Sequence, residues 1–277
     1  MARRSPANPG FRAKAASRSA GPRAPGVVAA LIGALLGLAL ALLVFAPARW
    51  LTDGVASSSG GHVLLDAPRG TVWNGSAQLV LTGGSGSTDA VALPERIEWQ
   101  LRPQWNGLRL QLLSACCTPQ PLVVAVGFGW SGIRLAVADG GSAWPATLLS
   151  GLGTPFNTLR PEGTLSLRTT GLAVQLAQGR MVMSGRADID IQNMASSVSQ
   201  LRPLGSYRLS LQGGDVPQLN LSTLDGPLRL SGNGSWVGNR LRFTGEATAL
   251  PEREAALSVL LNLLGRRVGA RSVITLG

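Results

Sequence analysis

Cys116 and Cys117 are the only cysteines in the chain, and they are adjacent. Such a pair can form a vicinal disulfide, bond to another chain, or remain as two buried thiols. Bridging neighbours closes a strained ring, because consecutive Cα atoms are only about 3.8 Å apart. An oxidising compartment permits the bond, and we read the pair as a vicinal disulfide that staples a loop. Redox catalysis would normally keep two residues between the cysteines. His62 is the single histidine; with no cysteine or carboxylate cluster nearby, it reads as an ordinary polar position and not as a metal ligand or triad base. Asp188 and Asp190 share one face of a strand, where alternating acids are expected on the solvated side of a sheet. Gly83-Gly-Ser-Gly-Ser87 lacks the closing glycine and the strand-to-helix setting of a nucleophile elbow. The only lysine, Lys14, follows no Gly-rich phosphate loop. No catalytic set, metal or cofactor is expected, and the chain reads as a protein that is not an enzyme.

The elements that carry these residues begin with a basic segment. Arg3, Arg4, Arg12, Lys14, Arg18 and Arg23 precede any acidic residue, the first of which is Asp53. Residues 1–26 hold almost no large apolar side chains and read as a disordered cytoplasmic tail. Beyond it, basic and acidic residues nearly balance, and no concentrated basic face with interleaved aromatics appears, so nucleic acid is not an expected partner. Residues 27–46 (VVAALIGALLGLALALLVFA) are unbroken apolar sequence, long enough to cross a bilayer as one helix. Pro47, Arg49 and Trp50 follow where small residues would mark signal-peptide cleavage, so the segment reads as a retained anchor. Arginines before the span and few after it put the N-terminus in the cytoplasm and the rest in the periplasm of a Gram-negative inner membrane. Trp50 sits at the outer headgroup level, as an interfacial anchor. Residues 47–61 read as a linker.

From residue 62 to 277 the pattern has a period of two. Trp73, Ala77, Leu79 and Leu81 alternate with Asn74, Ser76 and Gln78 over 71–81, and the same alternation marks 97–102, 108–112, 165–176, 181–191, 207–212, 228–230 and 240–243. Glycine is abundant, at 36 residues, and aromatics are only 5%, a balance that suits short strands joined by tight turns. The fold expected is mainly β: a curved antiparallel meander with a few short helices, preceded by one transmembrane helix. Trp73, Trp99, Leu110, Leu209 and Phe243 belong to its apolar side. Ala143 to Leu152, Met194 to Leu201 and Glu252 to Leu264 are candidate covering helices. The last is the clearest, with Pro251 before it, acids in its first turn and a Leu257, Leu260, Leu261, Leu264 stripe.

Pro68-Arg-Gly-Thr-Val-Trp-Asn-Gly-Ser-Ala77, followed by Ile97-Glu-Trp-Gln-Leu-Arg-Pro103, resembles the early signature of type II secretion system protein N, the general secretion pathway N component. Gly234-Ser-Trp-Val-Gly-Asn-Arg-Leu-Arg-Phe-Thr-Gly-Glu-Ala247 and the Leu260 to Arg266 run resemble that family's end. Gly70, Thr71, Trp73, Gly75, Trp99, Trp236 and Gly245 carry the match, and the long Arg/Pro tail departs from it. The resemblance implies an inner-membrane accessory of the machine that exports folded proteins across the outer membrane. Its partners would then be the bilayer and other secretion components, either the inner-membrane platform or the outer-membrane secretin. Strand Asn239 to Glu246, with Arg240 and Arg242 on its polar side, is the expected edge for strand addition by a partner. A second reading is a periplasmic lipid-handling protein, which requires an open apolar groove on the curved sheet.

The anchor reading has a direct check. Intact-mass analysis of the mature protein is expected to find residues before position 46 retained; a mature N-terminus near Leu51 would show a cleaved signal instead.

Overall fold

The computed structural model describes residues 25–277 except 131, 178, 179 and 239; the basic tail, apart from its last two residues, lies outside the described residues. Two units are distinguished, one ending at Val44 and one running from Phe45 to Gly277. In the first, helix α1 spans Pro25–Val44, and every described side chain from Val27 to Val44 is exposed. Such an apolar helix has the length and composition to cross a membrane. It stops two residues short of the expected boundary, and Ala46, which precedes Pro47, is already buried in the second unit.

The expected linker is instead mostly helix α2, Ala48–Ser58. Its sequence contains Gly54, Val55 and several hydroxyl residues, which favour helix weakly. Packing supplies what propensity does not: Ala48 and Thr52, one turn apart, are both buried.

The remainder is one sheet of fifteen strands among the described residues: β1 (Val63–Gly70), β2 (Asn74–Thr82), β3 (Ala90–Gln104), β4 (Gly107–Ser114), β5 (Leu122–Gly129), β6 (Gly132–Val137), β7 (Gly140–Pro145), β8 (Glu162–Ala177), β9 (Arg180–Ala195), β10 (Gly205–Gly214), β11 (Gln218–Asp225), β12 (Leu228–Val237), β13 (Arg240–Ala249), β14 (Arg266–Val268) and β15 (Arg271–Leu276). Every pairing is antiparallel and almost every neighbour in space is a neighbour in sequence. The exceptions are β6 and β7, which divide the length of β8 between them, and β15, which lies between β13 and β14. A meander alternates its turns, so the links β1–β2, β3–β4, β5–β6, β8–β9, β10–β11 and β12–β13 fall at one end, the hairpin end. The longer connections fall at the other, looped end.

Trp73 departs from expectation. Residues 71–73 form the β1–β2 link, where the Trp73 ring is half-buried, and β2 begins only at Asn74. Trp99 and Phe243 are buried as expected, and Leu110 and Leu209 are half-buried on the same side.

Apolar side chains on the inner face are covered by short elements gathered at the looped end. A 3-10 turn (Ala146–Leu152), helix α3 (Phe156–Leu159), the 196–204 connection and helix α4 (Glu254–Leu264) supply the cover. Leu257, Leu260 and Leu261 of α4 close over Leu204, Tyr207, Leu228 and Ala247. The Tyr207 hydroxyl donates to the Leu228 carbonyl at 3.0 Å, and burial pushes its pKa up. Leu148 packs on Leu93 and Ile97, while Ala48 of α2 packs on Ala77 and Trp99. Two expected helices are otherwise in part: Ala143 to Pro145 belongs to strand β7 and only Ala146–Leu152 is helical, as a 3-10 turn, while Met194 and Ala195 end β9 and residues 196–201 are an irregular connection. There Ser196 and Ser199 accept bonds from the amides of Val198 and Leu201, local turns that compete with helix.

On the outer face, Asp188 and Asp190 lie opposite Ser210 and Arg208 in register. Asp190 is buried, a correction to its expected place on a freely solvated side. Arg208 grips it through Nε and an Nη at 2.6 and 2.8 Å, and Ser210 donates to Asp188 at 2.5 Å. Bonds from Arg208 hold the Asp190 carboxyl below its usual range; burial opposes the shift, and the charges of Arg208 and Arg168 reinforce it. A depressed native pKa adds stability that is present above about pH 4 and lost as pH falls through the lower folded-state value. Asp190→Asn is expected to cost about 1 kcal/mol at neutral pH, with partly exposed Arg208 limiting the effect. The difference between the two thermal transitions should vanish at low pH; a difference that persists there would deny the ion pair its role.

Candidate functional site

The motif residues Gly70, Thr71, Gly75 and Trp99 meet at the hairpin end of β1–β3. Trp99 is 3% exposed, and its indole N–H is directed at the carbonyls of Thr71 and Val72, at 3.3 and 3.1 Å. Gly75 lies opposite Trp99 in register, and a Cβ there would run into the indole ring and stand 2.6 Å from the Arg69 carbonyl. Glycine at 75 therefore makes room for the ring. The Thr71 amide donates to the Asn74 carbonyl at 2.8 Å and its hydroxyl accepts from the Asn74 amide at 3.1 Å. The Trp73 carbonyl accepts from Leu101 at 2.7 Å, and the Val72 amide donates to the Ala46 carbonyl at 2.9 Å. Pro47 bridges to Thr71. Together these residues form a socket that fixes the start of α2 to the sheet, a structural task and not a chemical one.

The second motif repeats the device. Phe243 is buried against Gly232 and Gly245 on neighbouring strands, and a Cβ on Gly245 would sit 2.9 Å from its ring. Trp236 is half-buried beside it on β12, opposite Leu241.

Arg240 and Arg242 are exposed, but their strand is not an edge. β12 pairs with β13 along its whole length, and β15 pairs with it from Phe243 to Thr248. The chain returns after α4 as a short hairpin that covers β13 from Phe243 to Thr248, with Arg240 and Arg242 beyond that pairing. The sheet's two edges are β1 and β14. Pro68, the left-handed Ala67 and a register slip between Asp66 and Arg69 interrupt β1, while β14 has only three residues, two of them arginine. Both edges are built to discourage strand addition.

Cys116 and Cys117 are joined by a disulfide with Cα atoms 3.7 Å apart. Cys117 is buried with Leu93, Ile97 and Leu148, and its carbonyl accepts from Ala143 at 2.8 Å. The loop thus ties the β4–β5 connection to β7. The His62 ring meets the Thr82 carbonyl at 3.1 Å, and Ser85 of the Gly/Ser loop bonds to Gly60, so both close the looped end around α2. Trp50 is half exposed on α2.

Two further features could hold a partner, and neither was legible as a motif. On the outer face beside the socket, Arg69, Asn74, Ser76, Glu98, Gln100 and Gln111, together with Trp99, Leu113 and Pro121, line a depression of about 400 Å³. On the inner face, Leu79, Leu81, Trp144, Leu148, Leu149, Leu165, Leu167 and Ile189 line a wholly apolar groove of about 290 Å³. Away from α2, at the hairpin end of β5, β6, β8 and β9, the inner-face residues Phe128, Ile133, Leu135, Leu176 and Met181 are exposed.

Gly75→Ala tests the socket. The Arg69 carbonyl cannot yield as a flexible side chain would, so overpacking is expected to cost about 1–3 kcal/mol and to alter Trp99 fluorescence. An unchanged thermal transition would show that the ring does not need the glycine.

Comparison with known proteins bears on the whole sheet. No curated protein and no solved structure matches the chain. The family model described as type II secretion system (T2SS), protein N, matches residues 61–274, from the end of α2 to within three residues of Gly277. With the two glycine–aromatic motifs inside that span, the chain belongs to the type II secretion system protein N family.

Proposed function

We propose that this chain is an accessory of the type II secretion system, anchored in the inner membrane by α1 with its sheet in the periplasm, and that it works through protein contacts and not by catalysing a reaction. The observation that carries this reading is the family match across residues 61–274, which takes in β1 to β14 and most of β15. Blunted edges favour contact through a face or loops over strand addition. The depression with Arg69 and Glu98 is our first choice for the contact surface, since exposed charged and amide groups on a rigid sheet suit selective, reversible recognition.

One observation favours a second reading. The inner face is open and apolar at the hairpin end, and the Leu149 groove has no polar lining; a lipid chain could lie there. A photo-crosslinking residue at Gln100 and, separately, at Leu149 separates the two in intact cells. Capture of a secretion component at Gln100, with secretion lost on deletion of the gene, is the expected result. Phospholipid captured at Leu149 with secretion unaffected by the deletion would replace the first reading by the second.

A further inference from the structure

The hairpin end of the sheet carries the most exposed large apolar side chains among the described residues of the folded unit. Trp105 sits at the tip of β3–β4 and Trp130 at the tip of β5–β6, and both are fully exposed. Large aromatic side chains seldom stand free in water at two neighbouring tips without a partner. Next to them on the inner face, Phe128, Ile133 and Leu135 are exposed. On the outer face the same two hairpins present Arg102, Arg109 and Arg134, all exposed, and neither residues 101–109 nor 127–135 include an acidic residue. Each hairpin tip therefore combines an indole, an apolar face and an arginine face.

The place of these tips in the fold says what covers them. Ala46 and Pro47, which follow the apolar helix within three residues, are held at the Thr71–Val72 turn, the first link of this same end. With strands about 4.8 Å apart, the Trp105 tip lies two strand spacings and the Trp130 tip four spacings across the sheet from that turn, and both reach further along the strand direction, since Asn74 is level with Gln100, Gln111 and Val123. If α1 crosses the membrane, the short link from Val44 to Ala46 tethers this end of the sheet to the bilayer and keeps both tips within its reach. Tryptophan favours the headgroup layer, and arginine favours anionic lipid.

We propose that the β3–β4 and β5–β6 hairpins seat on an anionic phospholipid surface, with Trp105 and Trp130 in the headgroup layer and Arg102, Arg109 and Arg134 at the lipid phosphates. The uncovered inner face then opens towards the bilayer. This seating rests on the anchor reading of α1 and is independent of which secretion component the chain contacts.

The test uses the full chain reconstituted into phosphatidylcholine vesicles containing phosphatidylglycerol, with and without brominated acyl chains. Subtracting the fluorescence of the W105S/W130S variant from that of the wild type isolates the two tips. The expected result is a difference signal quenched by bromolipid and shielded from aqueous acrylamide. Because both rings are exposed, the variant should keep the wild-type thermal transition. Should it not, the R102Q/R109Q/R134Q variant provides a second route. The seated fraction should then fall about five-fold per charge removed, and fall likewise in phosphatidylcholine alone. A difference signal that acrylamide quenches freely and bromolipid does not, or seating indifferent to lipid charge, would overturn the proposal. Alkaline carbonate distinguishes the underlying failure: extraction of the protein from vesicles would remove the anchor and the seating together, whereas retention with unquenched tips would remove the seating alone.

Discussion

A single sheet with one apolar face has no second layer to bury that face, and the rest of this structure follows from how the chain supplies the missing cover. It does so piecemeal. α2, the 146–152 turn, and α3 together with α4 close three separate clusters, around Trp99, Leu93 and Tyr207 respectively. All three clusters depend on short elements with little intrinsic stability of their own, so the connections matter as much as the strands. Socket, vicinal disulfide and Ser-rich turn each fix one connection in place.

The strands were legible because the inner face is apolar and the outer face is Arg, Gln, Asp, Ser or Thr, which leaves a period of two in the sequence. Where that contrast fails, so does the reading. In β5 the outward positions Val123, Ala125 and Gly127 are themselves small or apolar, and no alternation marks the strand. α2 was missed for the opposite reason: its weak formers carry no helical signal, and only burial of Ala48 and Thr52 against the sheet makes it a helix. Helix α4 was legible because proline, first-turn acids and a leucine stripe coincide there.

The candidate site divides along the same line. The family resemblance singled out Gly75, Trp99 and Gly245, but it could not say that the glycines exist for the rings, since that depends on the register of Gly75 against Trp99 and of Gly245 against Gly232. The cover over β13 from Phe243 onward was not legible, because β15 adds to β13 only after an intervening helix, and no local pattern in residues 266–276 announces where that strand returns. Likewise, Asp190 looked solvated until the strand opposite put Arg208 directly across from it.

Nearest-neighbour connectivity has a consequence for how the sheet is made. Nearly every strand pairs with the one just before it, so each addition closes a short loop and carries a small entropic cost. A chain delivered N-terminus first could therefore lay down its ladder in order, each strand templating the next while the remainder is still unpaired. The exception is the end: β15 must find β13 across α4, and Leu257 and Leu261 must reach back to Tyr207 and Leu204. Completion of the C-terminal segment is thus the step that turns a growing ribbon into a closed core, which makes the last 25 or so residues a natural checkpoint for quality control of the emerging chain.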